Sequence, residues 1–236
     1  ELAMSSFLFD KGAFSGLFGY SRGPDSDVDS SRKFQDSLVM AMRAGDLQAF
    51  ERALAYVEPA LVSVGGAGAL QFACRSGHLE MAQSLAAKGC DVNSVDATGW
   101  TPLYAACVGR SPEVVEFLLE EGARPDVGCV GMSLRPMAAT STYSASPLHA
   151  AFVVGAPVVE LLIEHGADVN AVDGDGVSVI KKAIAVKDEV SADVVRLLLD
   201  AQVSLEGLSS AELERVNQLD GAAKLQVSGS TPAPKI

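Results

Sequence analysis

Tryptophan occurs once in this chain, tyrosine four times and phenylalanine nine times, so only 6% of its 236 residues are aromatic. A core without many large rings is filled by Ala, Val and Leu, which suits a helical stack. Positive charge is also scarce: 18 Lys and Arg stand against 30 Asp and Glu, a net charge of −12. That balance excludes nonspecific binding to nucleic-acid phosphates. It also argues against attachment to an anionic membrane surface. Cysteine appears four times, at Cys74, Cys90, Cys107 and Cys129, with no Cys-x-x-Cys pair. Neither a disulfide framework nor a zinc site follows from that spacing, so a reducing, cytoplasmic compartment is expected. No apolar run is long enough for a transmembrane helix, so direct membrane insertion is not expected. The sequence also has no Walker loop, no His-Glu-x-x-His and no Gly-x-Gly-x-x-Gly after a strand. Gly65-Gly66-Ala67-Gly68 lacks the Lys-Ser/Thr that a phosphate loop requires. No catalytic, cofactor-binding or metal-ligating residue is expected, and the chain is read as non-enzymatic.

What the sequence does contain is a phrase that returns. Gly89-Cys90-Asp91-Val92-Asn93 reappears as Gly166-Ala167-Asp168-Val169-Asn170, with a degraded copy at Gly122-Ala123-Arg124-Pro125-Asp126. An apolar, helix-like run precedes each copy. A second phrase, Gly99-Trp100-Thr101-Pro102-Leu103-Tyr104, returns as Ser146-Pro147-Leu148-His149-Ala150-Ala151. Leu70 and Leu103 are 33 residues apart, as are Gly89 and Gly122, and Cys74 and Cys107. Local physics explains the phrases. The glycines stand where a helix ends in a left-handed turn. Pro102 and Pro147 fit a first helical position, where a missing amide hydrogen is harmless, and Thr101 and Ser146 fit the N-cap before it.

The period and phrases together resemble the ankyrin repeat, a β-turn followed by two antiparallel helices. The resemblance covers about residues 34–206. It implies an all-α solenoid of about five repeats with short hairpin fingers, since a unit that cannot bury its own apolar face must stack on neighbours. Residues 1–33 read as an aromatic, glycine-spaced arm followed by an acidic, serine-rich linker. Five rings (Phe7, Phe9, Phe14, Phe18 and Tyr20) stand in that arm. The 34–206 array carries a long finger at 124–146, because Gly122 to Leu148 is 12 residues longer than Gly89 to Leu103. A capping helix over 207–220 opens on the capping box Ser209-Ser210-Ala211-Glu212. A tail, 221–236, closes the chain. The fifth repeat is the least regular, with Gln202 in place of the turn glycine. The chain starts at Glu1, which leaves open whether Met4 is the native start or an upstream targeting segment has been removed.

The same resemblance gives the histidines and turn acids structural roles. His149 is expected to bond backbone, His78 to sit between helices and His165 to precede a turn. Asp91, Asp96, Asp168 and Asp173 are expected to accept turn amides rather than to bind calcium. Asn93 and Asn170 each follow a leucine by eight residues (Leu85 and Leu162), the setting in which the family is hydroxylated at asparagine. A side chain bonded to its own turn is the alternative. Partner contacts in such arrays fall on the fingertips and the inner helices, which here means Met40, Arg43, Phe72, Arg75, Ala97, Thr98, Trp100, Val108, Val153 and Lys182. Met132, Arg135 and Tyr143 in the long finger join them, and Phe7, Phe9, Phe14 and Phe18 form a docking arm. Trp100 and Phe72 read equally as partner contacts or as side chains covered by the chain itself. The implied function is an adaptor for another protein. The alternatives are a subunit anchored in a large assembly by its arm, and a regulatory fragment of a larger enzyme or channel.

Overall fold

In the computed structural model the described residues are 26–59, 62–64, 67–132, 142–152, 154–185 and 190–220. Helices form five consecutive pairs: α1 (Ser26–Ala44) with α2 (Leu47–Leu54), α3 (Ala69–Arg75) with α4 (Leu79–Ala87), α5 (Pro102–Gly109) with α6 (Pro112–Glu120), α7 (Pro147–Ala151) with α8 (Ala156–Glu164), and α9 (Val179–Ala185) with α10 (Val190–Asp200). A last helix, α11 (Ser210–Asp220), packs on α10 and α9. Two small hairpins project from the connections. One joins β1 (Ser63–Val64) to β2 (Ala67–Gly68), and the other joins β3 (Cys129–Met132) to β4 (Thr142–Ala145), both antiparallel.

Sequence dictates where the helices begin. Thr101 accepts a hydrogen bond from the Tyr104 amide at 3.2 Å, and Asp46 caps α2 by accepting from the Ala49 amide at 3.0 Å. Pro102, Pro112 and Pro147 open their helices. The box at Ser209 closes as expected: its amide donates to Glu212 Oε2 at 2.6 Å, and the Glu212 amide donates back to Ser209 Oγ. Residues 26–33 correct the expectation of a linker, because α1 is already helical from Ser26.

The core is one continuous column. Leu38, Leu70, Leu103, Leu148 and Ile180 hold the same place in successive inner helices, and Leu85, Leu118, Leu162 and Leu198 the same place in successive outer helices. Each such side chain contributes roughly 1.5–3 kcal/mol by leaving water. Ala41, Ala73, Ala106, Ala151 and Ala183 stand three residues after the inner-helix positions and let neighbouring pairs approach closely. Cys74 and Cys107 lie fully inside this column. Burial alone pushes the Cys107 thiol up to about 12 and raises Cys74 further still.

Candidate protein-docking surface

The third helix pair differs from its neighbours in three linked ways. Tyr104 occupies the position that Gln71 and His149 hold in other repeats. Those two side chains reach the backbone of the following finger. Gln71 Nε2 donates to the Ser94 carbonyl at 3.0 Å, and His149 Nε2 donates to the Val177 carbonyl at 3.2 Å. His149 Nδ1 then accepts from Ser146, 2.8 Å from its hydroxyl, and burial holds the imidazole below its ordinary pKa. Tyr104 instead packs with Cys129 and Ala145 at the base of the long hairpin, with Trp100 and Ala150 around them. Thr101 donates its hydroxyl to the Val127 carbonyl at 3.0 Å and ties the hairpin to the start of α5. Gly128 lies so close to the Ala145 carbonyl that no Cβ fits there. Trp100 meets Tyr104 edge to face, with centroids 5.3 Å apart, and the Arg75 guanidinium lies 5.2 Å above its ring. Trp100 is thus half-buried and covered by the chain's own hairpin base. Burial pushes the Cys129 thiol up despite the neighbouring Trp100 indole.

Along the inner helices Met40 on α1 is 67% accessible and Val108 at the end of α5 is 37% accessible, and Arg43 and Arg75 are exposed. Phe72 is half-buried against the core. Ala97 and Thr98 sit exposed at a fingertip, where Asp96 accepts from the Thr98 and Trp100 amides. Lys182 is not an open contact residue: its ammonium pairs with Asp173 at 2.8 Å. Burial acts to raise the Asp173 pKa, but Lys182 and the Val177 and Asp175 amides outweigh it and hold the carboxyl below its ordinary value. Met132 and Tyr143 lie in the paired strands β3 and β4, opposite Thr142 and Gly131 respectively. Arg135, Val153, Phe7, Phe9, Phe14 and Phe18 lie outside the described residues.

The side-chain oxygens of Asn93 and Asn170 bond the next turn rather than their own. Asn93 Oδ1 accepts from the Arg124 amide at 2.8 Å, Asp126 Oδ1 from the Asp168 amide at 3.1 Å, and Asn170 Oδ1 from the Ser204 amide at 2.7 Å. The same bond therefore joins each turn to the next from the second repeat to the fifth. The bonds within each turn are made by Asp91 and Asp168, which accept from Asn93 and Asn170 at 2.8 Å each.

Sequence reasoning missed Tyr104 and Arg110. Arg110 has φ 59° at the junction where other pairs place Gly45, Gly77 and Gly155. Both signals were readable: a ring where a hydrogen-bonding side chain recurs, in the repeat with the insertion, and a non-glycine where glycine recurs.

The profile for "Ankyrin repeats (3 copies)" matches residues 38–129 and that for "Ankyrin repeat" residues 144–174, together more than half of the chain. The chain belongs to the ankyrin-repeat family. Protein phosphatase 1 regulatory subunit 27 of Mus musculus is 33% identical over 103 residues, which are 42% of this chain and 67% of that protein. Zygote-specific protein 3 of Chlamydomonas reinhardtii is 38% identical over 106 residues, 44% of this chain but 25% of that protein. E3 ubiquitin-protein ligase KEG of Arabidopsis thaliana is 35% identical over 125 residues, 7% of its length. No described helix is long and apolar enough to cross a membrane. Among the described residues, no three His, Cys, Asp or Glu side chains group closely enough to hold a metal ion.

Proposed function

We propose that this ankyrin array is a non-catalytic docking module that holds a partner protein on the inner helices of its first three pairs, beside the long hairpin. The observation that carries the reading is the arrangement around Trp100. A rigid aromatic cluster, fixed by Tyr104, Arg75 and the hairpin base, stands on the same inner-helix stack that exposes Met40 on α1 and Val108 at the end of α5. Apolar side chains held in water on a preorganised surface gain free energy when a partner covers them, and little ordering entropy is lost in doing so. The titratable groups with shifted pKa values are explained by packing, turns and caps. Relatives that include a phosphatase regulatory subunit support a binding role.

Affinity capture from native extract with the full chain tests the proposal. Met40→Asp with Val108→Asp should abolish recovery of the wild-type partner. Glu116→Lys on the outer helix α6 should leave it intact. Equal loss in both variants, or in neither, would count against this face.

A further inference from the structure

Acidic residues are concentrated on the outer helices rather than on the inner helices of the second to fifth pairs. Among the inner helices, α3, α5, α7 and α9 contain no aspartate or glutamate, and the exposed acid of α1 nearest to Met40 and Arg43 is Asp36. The outer helices hold exposed acids, including Glu113, Glu116, Glu120, Glu160 and Glu164. In a chain of net charge −12, the exposed cations Arg43, Arg75 and Arg110 gather at the inner-helix ends of the first three pairs. None of the three forms an ion pair with another described residue. Further along the stack the inner-helix cations are already engaged, with Lys182 on Asp173 and Lys181 beside Glu212. Arg110 also holds a left-handed backbone where three other pairs use glycine.

We infer that the segment docked on this face is a short, extended, acidic stretch of the partner protein, whose carboxylates meet Arg43, Arg75 and Arg110 while separate apolar side chains along it cover Met40 and Val108. The inference rests on the docking role proposed above and names the chemistry of its ligand. Arg43 and Arg75 hold equivalent places on adjacent pairs, and packed helices run about 8–10 Å apart axis to axis. An extended chain rises about 3.3 Å per residue, so acidic residues about three positions apart match them. A long polyanion is disfavoured, because beyond the arginines it would run over acidic outer faces. A short segment stays within about one Debye length of the three guanidinium groups.

Selection from a displayed library of random peptides of about a dozen residues, with the full chain as bait, tests this. Wild-type chain should enrich acidic peptides with Asp or Glu about every third position and an aliphatic or aromatic residue between them. Each Arg→Ala variant should weaken a selected peptide about 2–5-fold. The Arg43→Glu, Arg75→Glu, Arg110→Glu triple variant should weaken it on the order of 100-fold and enrich basic peptides instead, with an unchanged circular-dichroism spectrum. Lys88→Glu, a single charge reversal on the outer side, should have no effect. A neutral or basic pool from the wild-type chain overturns the inference. If that pool is lost on Met40→Asp with Val108→Asp but not on the arginine changes, the docking face stands and only its acidic ligand falls. Failure to enrich any acidic peptide likewise overturns the inference.

Discussion

Gly109→Ala probes the spacing on which the surface depends. A Cβ at residue 109 would lie 2.7 Å from the Arg75 carbonyl carbon and 2.8 Å from its Cα, with the carbonyl oxygen closer still. All three atoms belong to the backbone of α3, so no rotamer change relieves the contact. Bringing 2.7 Å up to an ordinary 3.4 Å moves α5 away by at least about 0.7 Å, and the nearer carbonyl oxygen demands more. A gap of that size forfeits roughly a quarter to a half of the dispersion attraction across the interface. Overpacking of this kind destabilises by about 1–3 kcal/mol, with the upper end expected against fixed backbone. Alanine recovers roughly 0.5–1 kcal/mol of helix propensity, which leaves a net loss of about 2 kcal/mol. At roughly 2–4 °C per kcal/mol for a chain of this size, melting should fall by about 4–8 °C. Circular dichroism against temperature and urea measures it. Gly122→Ala is the control: it has φ 83° with no neighbour within 4 Å, so it should lose only about 1 kcal/mol to strain. Equal or higher stability of Gly109→Ala would refute the close approach of α3 and α5.

Three further outcomes follow from particular contacts. Arg110→Gly removes a left-handed non-glycine and should stabilise the fold by about 1 kcal/mol in urea titration; an unchanged or lower midpoint would show that the arginine is not strained there. Asn170→Ala deletes the acceptor for the Ser204 amide and should lower stability by roughly 0.5–1.5 kcal/mol, loosening α10 and α11 first in native-state exchange. His149, whose pKa is lowered in the folded chain by burial, with Lys182 acting the same way and Val177 and Asp173 opposing, binds fewer protons folded than unfolded below about pH 6.5. Its contribution is complete above that pH and declines as pH falls toward the folded pKa. His149→Gln should flatten that part of a stability-against-pH curve, and an unaltered curve would show that the imidazole is not the group responsible.

The repeat fold was legible because the same local chemistry returns at a fixed spacing. A proline after Thr or Ser, a glycine after an apolar run and a leucine at a fixed offset each act through near-neighbour physics. The role of Asn93, Asp126 and Asn170 was not legible, since their bonds reach the next turn, and nothing within one repeat distinguishes an internal acceptor from an inter-repeat one. Trp100 shows the same division. Its position on the stack followed from the period, but its cover came from Cys129 and Ala145, which approach only once β3 and β4 pair. The helical start at Ser26 was obscured by a composition rich in Ser and Asp, which suits a linker and a helix N-terminus equally well. Lys182 looked like an open inner-helix contact because its partner, Asp173, lies on the finger that precedes α9.

Hydrogen exchange on the full chain, alone and in complex with the protein it captures, tests the docking face most directly. The account predicts new protection in α3, α5 and the strands β3 and β4, with α4, α6 and α8 unchanged. Protection confined to those outer helices, with α3 and α5 exchanging as in the free chain, would contradict it.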